Sequence, residues 1–507
     1  MLTTIKMLGE GFASVLTSPV AILMCFIGAF LGIIVGILPG LGPSATIAML
    51  LPLTYTLDPM AALIILCGIF CGAAFGGAIT SILVNIPGEG CSVPTTFDGY
   101  PLCKQGRPGT ALGIAAYASG ISGFISILLL AFLVKPLSNI ALMFGSPEYA
   151  MVVLFAFIAV VGLSEGGLVK SFFSLFVGLL CSTVGFDVQT GDLRLAFDQI
   201  GLYDGIPFLA ATMGLFGLAE ILVNIVHPDD QIDVEKTPKL TFRKIMPTFT
   251  ELKTCLPTML RSGILGFFIG VLPGAGANIA AFLAYSFEKR LSKHPETFGK
   301  GNIQGVAAPE AANNASVGGS LVPMLALGIP GSGTCAIILG ALVMLGMQPG
   351  PTLFTKSGPI VWGLIAALLL SNIILFFMNT AMVPAFVWIL KVSQKCLSVA
   401  VTTLCIIGII GAKNSMNYLW IMLVFTGIGY LFKVNKIPPA PLVLALIMGG
   451  QMENAFRQSL LMSRGSLKIF VTRPISLIFV LLSLGFLIVP RITKLVKKLR
   501  KKEEAAL

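Results

Sequence analysis

Charged side chains are scarce in this chain of 507 residues, because only 11% of them are Asp, Glu, Lys or Arg. Soluble domains carry about 25% charged residues, so the composition excludes a soluble enzyme. The 56% hydrophobic content requires lipid as the solvent, where backbone polar groups must be satisfied within the fold. Apolar runs as long as 11–57 and 311–355 favour membrane-spanning helices over the short alternating strands of a barrel.

Histidine is nearly absent as well, since His227 and His294 are the only two and both lie in polar segments. Most of the ten cysteines lie in apolar runs, where a thiol behaves as a small hydrophobic group. The sequence therefore offers no His/Cys metal constellation. The segment Gly274-Ala275-Gly276 precedes no Gly-Lys-Ser/Thr and is no nucleotide-binding loop. We expect neither catalysis nor a resident cofactor.

The hydrophobic pattern predicts an all-α polytopic membrane protein with about 11–14 hydrophobic segments. The segment 186–204 carries four Asp against one Arg, whereas 227–261 is rich in Lys and Arg. Because Lys and Arg favour the cytoplasmic side, we expect the first segment outside and the second inside. The net charge of +11 owes much to a basic tail, which we interpret as a cytoplasmic C-terminus rather than a nucleic-acid-binding segment.

An internal repeat divides the chain into two related halves. Residues 36–42 recur as 270–276 at an offset of 234, and residues 86–90 recur as 329–333 at an offset of 243. Gly76-Gly77 is similarly echoed by Gly318-Gly319. We predict an N-terminal half (1–226), a cytoplasmic connecting loop (227–256), a C-terminal half (257–490) and the basic tail (491–507). The two halves are expected to be inverted, as in secondary transporters with Gly/Pro-interrupted helices.

Each half contains two Pro-Gly breaks inside apolar sequence. A helix that restarts after such a break presents free N–H groups and the positive end of its dipole, which attract anions. Small hydroxyl and amide side chains follow the breaks and can bind a carboxylate. The predicted substrate-binding residues are Pro39, Gly40, Gly42, Ser44, Thr46, Asn85, Pro87, Gly88, Gly90, Ser92, Thr95, Pro273, Gly274, Gly276, Asn278, Asn313, Asn314, Ser316, Pro330, Gly331, Ser332, Gly333 and Thr334.

Structural interpretations compete with these assignments. Gly-x-x-x-Gly spacing is typical of close helix packing, to which we assign Gly28, Gly32, Gly266 and Gly270, and an intramembrane hydroxyl commonly bonds its own backbone. Glu310 either caps a helix at the membrane interface or binds a coupling cation or proton. Glu89 either holds a cation or faces solvent. Na⁺ and H⁺ are both candidate coupling ions.

Four motifs carry a resemblance to a known family: residues 36–44, 86–106, 270–278 and 308–315. In them, and across essentially the whole chain, the sequence resembles the large membrane subunit of the tripartite tricarboxylate transporter family. The resemblance implies a multi-pass permease of the bacterial inner membrane that works with a small membrane subunit and a periplasmic solute-binding protein. It also implies ion-gradient-driven uptake of a citrate-like di- or tricarboxylate. A passive organic-anion channel is the alternative.

Overall fold

The structure is a computed structural model that describes residues 2–38, 42–54, 56–164, 166–187, 189–226, 245–389, 394–413 and 415–487. Pro39 and Gly40, two predicted substrate-binding residues, lie outside the described residues. So do residues 227–244 of the predicted connecting loop and the basic tail.

The first part of the chain, up to residue 226, is helical apart from one small hairpin. Its helices are α1 (Leu2–Thr17), α2 (Pro19–Ile37), α3 (Pro43–Thr54), α4 (Pro59–Val84), α5 (Val93–Lys104), α6 (Pro108–Ala141), α7 (Ser146–Leu163), α8 (Leu168–Ser182) and α9 (Phe208–Val226). Short 3₁₀ turns occur at Gly90–Ser92 and Ile200–Leu202, and α9 contains a π-helical turn at Met213–Leu218. The antiparallel strands β1 (Gly185–Phe186) and β2 (Leu193–Arg194) form the hairpin.

The second part begins at α10 and is also helical. Its helices are α10 (Phe249–Val271), α11 (Gly276–Leu291), α12 (Ile303–Leu327), α13 (Gly333–Met344), α14 (Leu353–Lys356), α15 (Gly358–Ala381), α16 (Val383–Ile389), α17 (Gln394–Lys413), α18 (Met416–Val434), α19 (Ala440–Met462), α20 (Ile469–Thr472) and α21 (Pro474–Leu487). A 3₁₀ turn at Pro295–Thr297 lies between α11 and α12.

Eight helices in the described part of the chain are long and apolar enough to cross a membrane, and five shorter apolar helices accompany them. The predicted all-α polytopic membrane fold is therefore confirmed. Two of the shorter helices, Pro43–Thr54 and Gly333–Met344, directly follow Pro-Gly breaks. At about 1.5 Å per residue, such 12-residue helices are too short to cross the hydrocarbon core alone.

Local sequence signals begin several of these helices. The Asp58 side chain accepts a hydrogen bond from the Met60 N–H at the start of α4, and Pro59 occupies the first turn, where its missing N–H costs nothing. Thr248 and Glu251 form a capping box at the start of α10. These caps fix where the long apolar helices start.

The chain forms two compact units. Unit 1 comprises residues 1–141 and 207–435, and unit 2 comprises 142–206 and 436–507. All four breaks lie in unit 1, whereas unit 2 contains α7, α8, the β-hairpin and α19–α21. Each unit draws on sequence from both sides of residue 226, so these units are a different division from the two predicted halves.

Glycines let the helices of unit 1 pack backbone against backbone, twice in the same way. Cβ atoms added at Gly32 and Gly36 of α2 would meet the backbone of Ile69 and Ala73 of α4. Their counterparts in the second half make the same contacts between α10 and α12: Gly266 faces Ala312 and Gly270 faces Ser316. The partners are related by the offsets 234 and 243 found in the sequence. This agreement supports the repeat and the packing role assigned to these glycines.

Candidate functional site

In each half, the first break in the helical structure lies next to a proline. Helix α10 ends at Val271, Leu272 is extended, and Gly274 and Gly276 adopt positive φ angles of 81° and 61°. The Gly274 N–H donates to the Gly331 carbonyl over 3.0 Å, which joins the two breaks of the second half. In the first half, α2 ends at Ile37 and α3 begins at Pro43.

The second break of each half ends a helix with a left-handed residue. Asn85 closes α4 at φ 60°, and Gly328 closes α12 at φ 74°, at the offset of 243. Asn and Gly are the residues that tolerate this conformation at low cost. The exposed Asn85 therefore has a clear backbone role in ending α4.

Close approach explains the glycines of the Pro-Gly pairs. A Cβ atom added at Gly88 would overlap the Gly36 carbonyl oxygen, and one added at Gly331 would lie 2.8 Å from the Gly270 carbonyl oxygen. The second break of each half therefore packs directly on the end of the helix that precedes the first break, α2 or α10.

The breaks of the two halves also meet each other. Ser44, after the first break of the first half, lies 2.8 Å from Thr334, after the second break of the second half, between their hydroxyl oxygens. In the reciprocal pair, a Cβ atom added at Gly90 would lie 2.9 Å from the Asn278 side-chain nitrogen. Ser44 and Asn278 are related by the offset of 234. The structure thus brings residues from all four predicted break regions into two cross-half contacts.

A buried acid on α12 is bonded to the helix that follows the second break of the first half. Glu310 is fully buried; the Thr95 hydroxyl donates to its Oε1 over 2.5 Å and the Ser119 hydroxyl to its Oε2 over 3.3 Å. The Asn314 amide donates to the Ser119 Oγ over 2.7 Å. Glu310 is therefore deep within unit 1 rather than capping a helix end, and Thr95, Glu310 and Asn314 form one hydrogen-bonded network.

Oxygen atoms without partners collect near this network. Among the described residues, buried atoms with no hydrogen bond include Asn313 Oδ1, Glu89 Oε1, Ser92 Oγ and Thr80 Oγ1. Their chain segments lie together along α4: the Asn313 amide donates to the Ala74 carbonyl over 3.2 Å. One helical turn further on, Ser92 Oγ and the Glu89 N–H approach the face of Gly77. An unpaired buried oxygen costs about 1–3 kcal/mol, so these four oxygens are available to a buried water or a ligand.

The remaining predicted residues have mainly backbone or capping roles. The Ser332 hydroxyl accepts from the Cys335 N–H over 3.2 Å and caps α13, whereas the Ser316 hydroxyl bonds the Asn313 carbonyl of its own helix. Thr46 makes a long 3.4 Å bond to the Gly42 carbonyl. Pro87, Pro273, Pro330 and Gly333 lie within the breaks or at the helix starts that follow them.

Sequence reasoning missed Ser119, Thr80 and Asp98. Asp98 of α5 is fully buried, and its Oδ1 accepts hydrogen bonds from the N–H groups of residues 299, 301 and 302 over 2.7–2.9 Å. The Tyr285 hydroxyl donates to its Oδ2 over 2.9 Å. Asp98 thereby fixes α5, which carries Thr95, to the segment that leads into α12.

The break segments and the Glu310 segment of α12 contain two acidic side chains and no basic ones. Glu89 and Glu310 are the only ionisable side chains other than Cys91 in segments 42–46, 86–92, 272–278, 308–316 and 328–334. A multiply charged anion here would be bound by N–H groups, hydroxyls, amides and a cation rather than by a guanidinium. Among the residues that the structure describes, no group of three or more His, Cys, Asp or Glu could hold a metal ion.

Comparison with known proteins gives one family. The model of the tripartite tricarboxylate transporter TctA family matches residues 22–444. An uncharacterized 52.8 kDa protein in the TAR-I ttuC' 3' region of Agrobacterium vitis is 38% identical over 477 residues, which cover 94% of each chain. A protein in the TAR-II ttuC' 3' region of the same organism is 37% identical over 211 residues, covering 42% of this chain and 87% of its own. No solved structure matches.

Proposed function

The chain belongs to the tripartite tricarboxylate transporter TctA family, and on that basis we propose that it imports a citrate-like di- or tricarboxylate by ion-gradient-driven alternating access. It acts as the large permease subunit in the bacterial inner membrane. Its partners are a small membrane subunit and a periplasmic solute-binding protein that delivers the carboxylate. Transport rather than catalysis is its activity.

The observation that carries this proposal is the meeting of the breaks. Ser44 with Thr334, and Asn278 with Gly90, join the first break of one half to the second break of the other. In secondary transporters, substrate binds where interrupted helices of two repeats meet, with half-helix N-termini directed at its anionic groups. The starts of α3, α11 and α13 supply such N-termini here, next to hydroxyl and amide side chains.

A coupling cation accounts for the unpaired oxygens. Glu89, Ser92, Asn313 and Thr80 present oxygen atoms that no described group satisfies, and oxygen is the ligand atom that hard cations such as Na⁺ bind. Glu310 and Glu89 would contribute negative charge, and a bound cation would in turn offset the charge of the carboxylate substrate. With protons as the coupling ion, the same two carboxyl groups would be the sites of protonation.

The two cross-half contacts also support a moving part. At the breaks themselves, the halves meet through small residues, with one hydrogen bond between Ser44 and Thr334, and such contacts can be exchanged for others during a rigid-body movement. We infer inverted halves, with one face of the site opening to each side of the membrane in turn. A passive channel would need no such pairing and no coupling ion.

Reconstituted transport tests the proposal. Proteoliposomes containing the chain, its small membrane subunit and the solute-binding protein are assayed for uptake of radiolabelled citrate and a panel of carboxylates, with inward Na⁺ or H⁺ gradients. Concentrative uptake that requires one of the two ions is expected. Downhill flux indifferent to both ions would contradict coupling and favour the channel.

Two acid variants locate the coupling site. Glu310→Gln and Glu89→Gln should abolish concentrative uptake while the protein remains monodisperse. Glu10→Gln is the matched control, because Glu10 is an exposed acid that pairs with Lys6 over 4.0 Å. Wild-type ion dependence in both site variants would exclude these carboxyl groups as the coupling site.

A further inference from the structure

The segment that follows α8 in unit 2 exposes large apolar side chains. Five of them form what we call the apolar loop surface, with exposed fractions that reach 77% and 80% at Phe197 and Ile200: Phe186, Leu193, Leu195, Phe197 and Ile200. Exposed apolar side chains grouped in one polar segment typically mark an interaction surface.

Ion pairs hold this segment on α19. Arg194 of β2 forms a bidentate pair with Glu453 over 2.8 and 3.2 Å, and Arg457 donates to Asp187 over 2.7 Å. The N–H of Gln189 and the Arg457 guanidinium lower the pKa of Asp187 to about 2. The loop is therefore a fixed structure with its charges paired at its base.

The backbone of the segment is strained where its apolar side chains are most exposed. Leu195, Phe197 and Asp198 have φ angles of 50°, 48° and 56°, a conformation that costs non-glycine residues of order 1–3 kcal/mol each and is common at functional sites. Ala196, between two of them, is buried. Phe197 therefore combines a strained backbone with a largely exposed side chain.

The charges of the segment disfavour the lipid surface as its partner. Asp192, Asp198 and Asp204 are exposed and make no ion pair with any residue that the structure describes. Anionic lipid headgroups attract Lys and Arg and repel such acids. The segment contains no Trp, and the ring of its one Tyr, Tyr203, an interfacial residue type, packs against the Phe186 ring with 5.7 Å between centroids. Exposed acids and exposed apolar side chains in one segment are instead complementary to a protein with an apolar patch bordered by basic residues.

We propose that the apolar loop surface is the docking site for a soluble protein with an apolar patch bordered by Lys or Arg, namely the solute-binding protein of this transport system. The inference rests on the proposed function, which supplies a binding protein on the outer side of the membrane. The same side is predicted for residues 186–204 because Lys and Arg are sparse there. Apolar contact supplies affinity, and the three exposed acids steer the encounter.

Binding measurements test this site without relying on transport. The complete membrane complex in nanodiscs is immobilised, and the substrate-loaded solute-binding protein is titrated by biolayer interferometry. The double variant Phe197→Ser/Ile200→Ser removes apolar contact, and Asp204→Lys reverses one charge. Val169→Ser is the matched control, because Val169 is 84% exposed at the opposite end of α8.

We expect the double variant to raise the Kd about tenfold or more, since two central apolar contacts are lost. Asp204→Lys should slow association at low salt and less so at high salt, and Val169→Ser should bind like the wild type. Equal affinity of all four proteins would overturn the docking site while leaving the proposed transport intact. Absence of binding by the wild type, with citrate uptake independent of the binding protein, would overturn both.

Contact between the apolar loop surface and the bilayer, rather than a protein, would give a different result in a fluorescence measurement. The chain has three native tryptophans, one of which, Trp420, is exposed on a candidate membrane span, so all three are first replaced by Phe. In that background, Phe197→Trp in nanodiscs containing brominated lipids should show emission that is not quenched by lipid and that changes when the solute-binding protein is added. Quenching by the brominated lipids in the absence of the binding protein would show that the surface contacts the bilayer, and would overturn the proposal.

Discussion

Alanine at Gly270 should force α10 away from α12. The added Cβ would meet the Ser316 carbonyl oxygen and lie 2.8 Å from the Ser316 Cα, whereas ordinary contact begins at 3.4 Å. The helices must therefore separate by about 0.6 Å or more. Because the obstacle is backbone, no side chain can turn aside, and overpacking of this kind costs about 1–3 kcal/mol.

A matched glycine separates this clash from helix propensity. Alanine favours a helix over glycine by about 1 kcal/mol, which would partly offset the clash at Gly270. Gly427 in α18 has nothing within 4 Å of its added Cβ, so Gly427→Ala retains the propensity gain alone. The difference between the two variants, about 1–3 kcal/mol, measures the clash.

The first half provides the same test at Gly36. Its added Cβ would meet the Ala73 carbonyl oxygen and lie 3.0 Å from the Ala73 Cα, so Gly36→Ala should cost as much as Gly270→Ala. Thermal unfolding of the purified chain, followed by tryptophan fluorescence, should place both variants several degrees below Gly427→Ala. Equal midpoints for Gly270→Ala and Gly427→Ala would refute the close packing. If Gly36→Ala leaves the midpoint unchanged while Gly270→Ala lowers it, the helix packing is not equivalent in the two halves.

Three further predictions concern single contacts. The pKa of Asp187 is lowered to about 2 from 3.8. Its carboxylate therefore stabilises the folded loop above about pH 4, and that stabilisation is lost as the pH falls towards 2. Arg457→Met should move this loss to higher pH, as measured by hydrogen exchange of residues 185–194. Asp98→Asn should destabilise the protein by about 1–2 kcal/mol in thermal unfolding, because three N–H groups lose a charged acceptor. Ser44→Ala and Thr334→Val should show a coupling of about 0.5–1.5 kcal/mol in a double-mutant cycle on stability.

Each of these has its own control. Asp192→Asn removes an exposed acid of the loop that contains Asp187. This variant should leave thermal stability unchanged, in contrast to Asp98→Asn. Exchange rates in the loop that show no change between pH 5 and 2.5 beyond the intrinsic pH dependence would contradict the role of Asp187. Strictly additive effects at Ser44 and Thr334 would mean that their 2.8 Å contact contributes nothing to the folded state.

The sequence predicted the membrane-spanning helices and the breaks, because both depend on local properties. Apolar run length sets the helices, and Pro-Gly pairs set where they stop. The Ser332 cap could likewise be recognised, since a serine before an apolar run is a local signal. Asn85, in contrast, looked like a ligand, although its place at the left-handed end of α4 gives its backbone a sufficient structural role.

What could not be predicted depends on long-range contacts. Ser119 is one of several serines in α6, and only packing against α12 sets it apart as a partner of Glu310. Asp98 was visible within a motif, but its three N–H partners lie about 200 residues away. The repeat alignment also shifts by one residue, because the contacts pair Gly76 with Gly319. An added Cβ at Gly76 would meet the Ile33 carbonyl of α2, and one at Gly319 would meet the equivalent Phe267 carbonyl of α10.

The two halves share their helix packing and breaks but differ in the polar side chains next to them. At the offset of 243, the positions of Glu310, Asn313 and Asn314 are occupied in the first half by Cys67, Phe70 and Cys71. Helix packing and the breaks are thus duplicated, whereas the buried acid and its amide neighbours occur once. Because the acidic network occurs once, we propose that the site has a single cation-binding side, which contains Glu310. If that is correct, no residue of the first half can replace Glu310, and the loss of coupling in Glu310→Gln should be complete rather than partial.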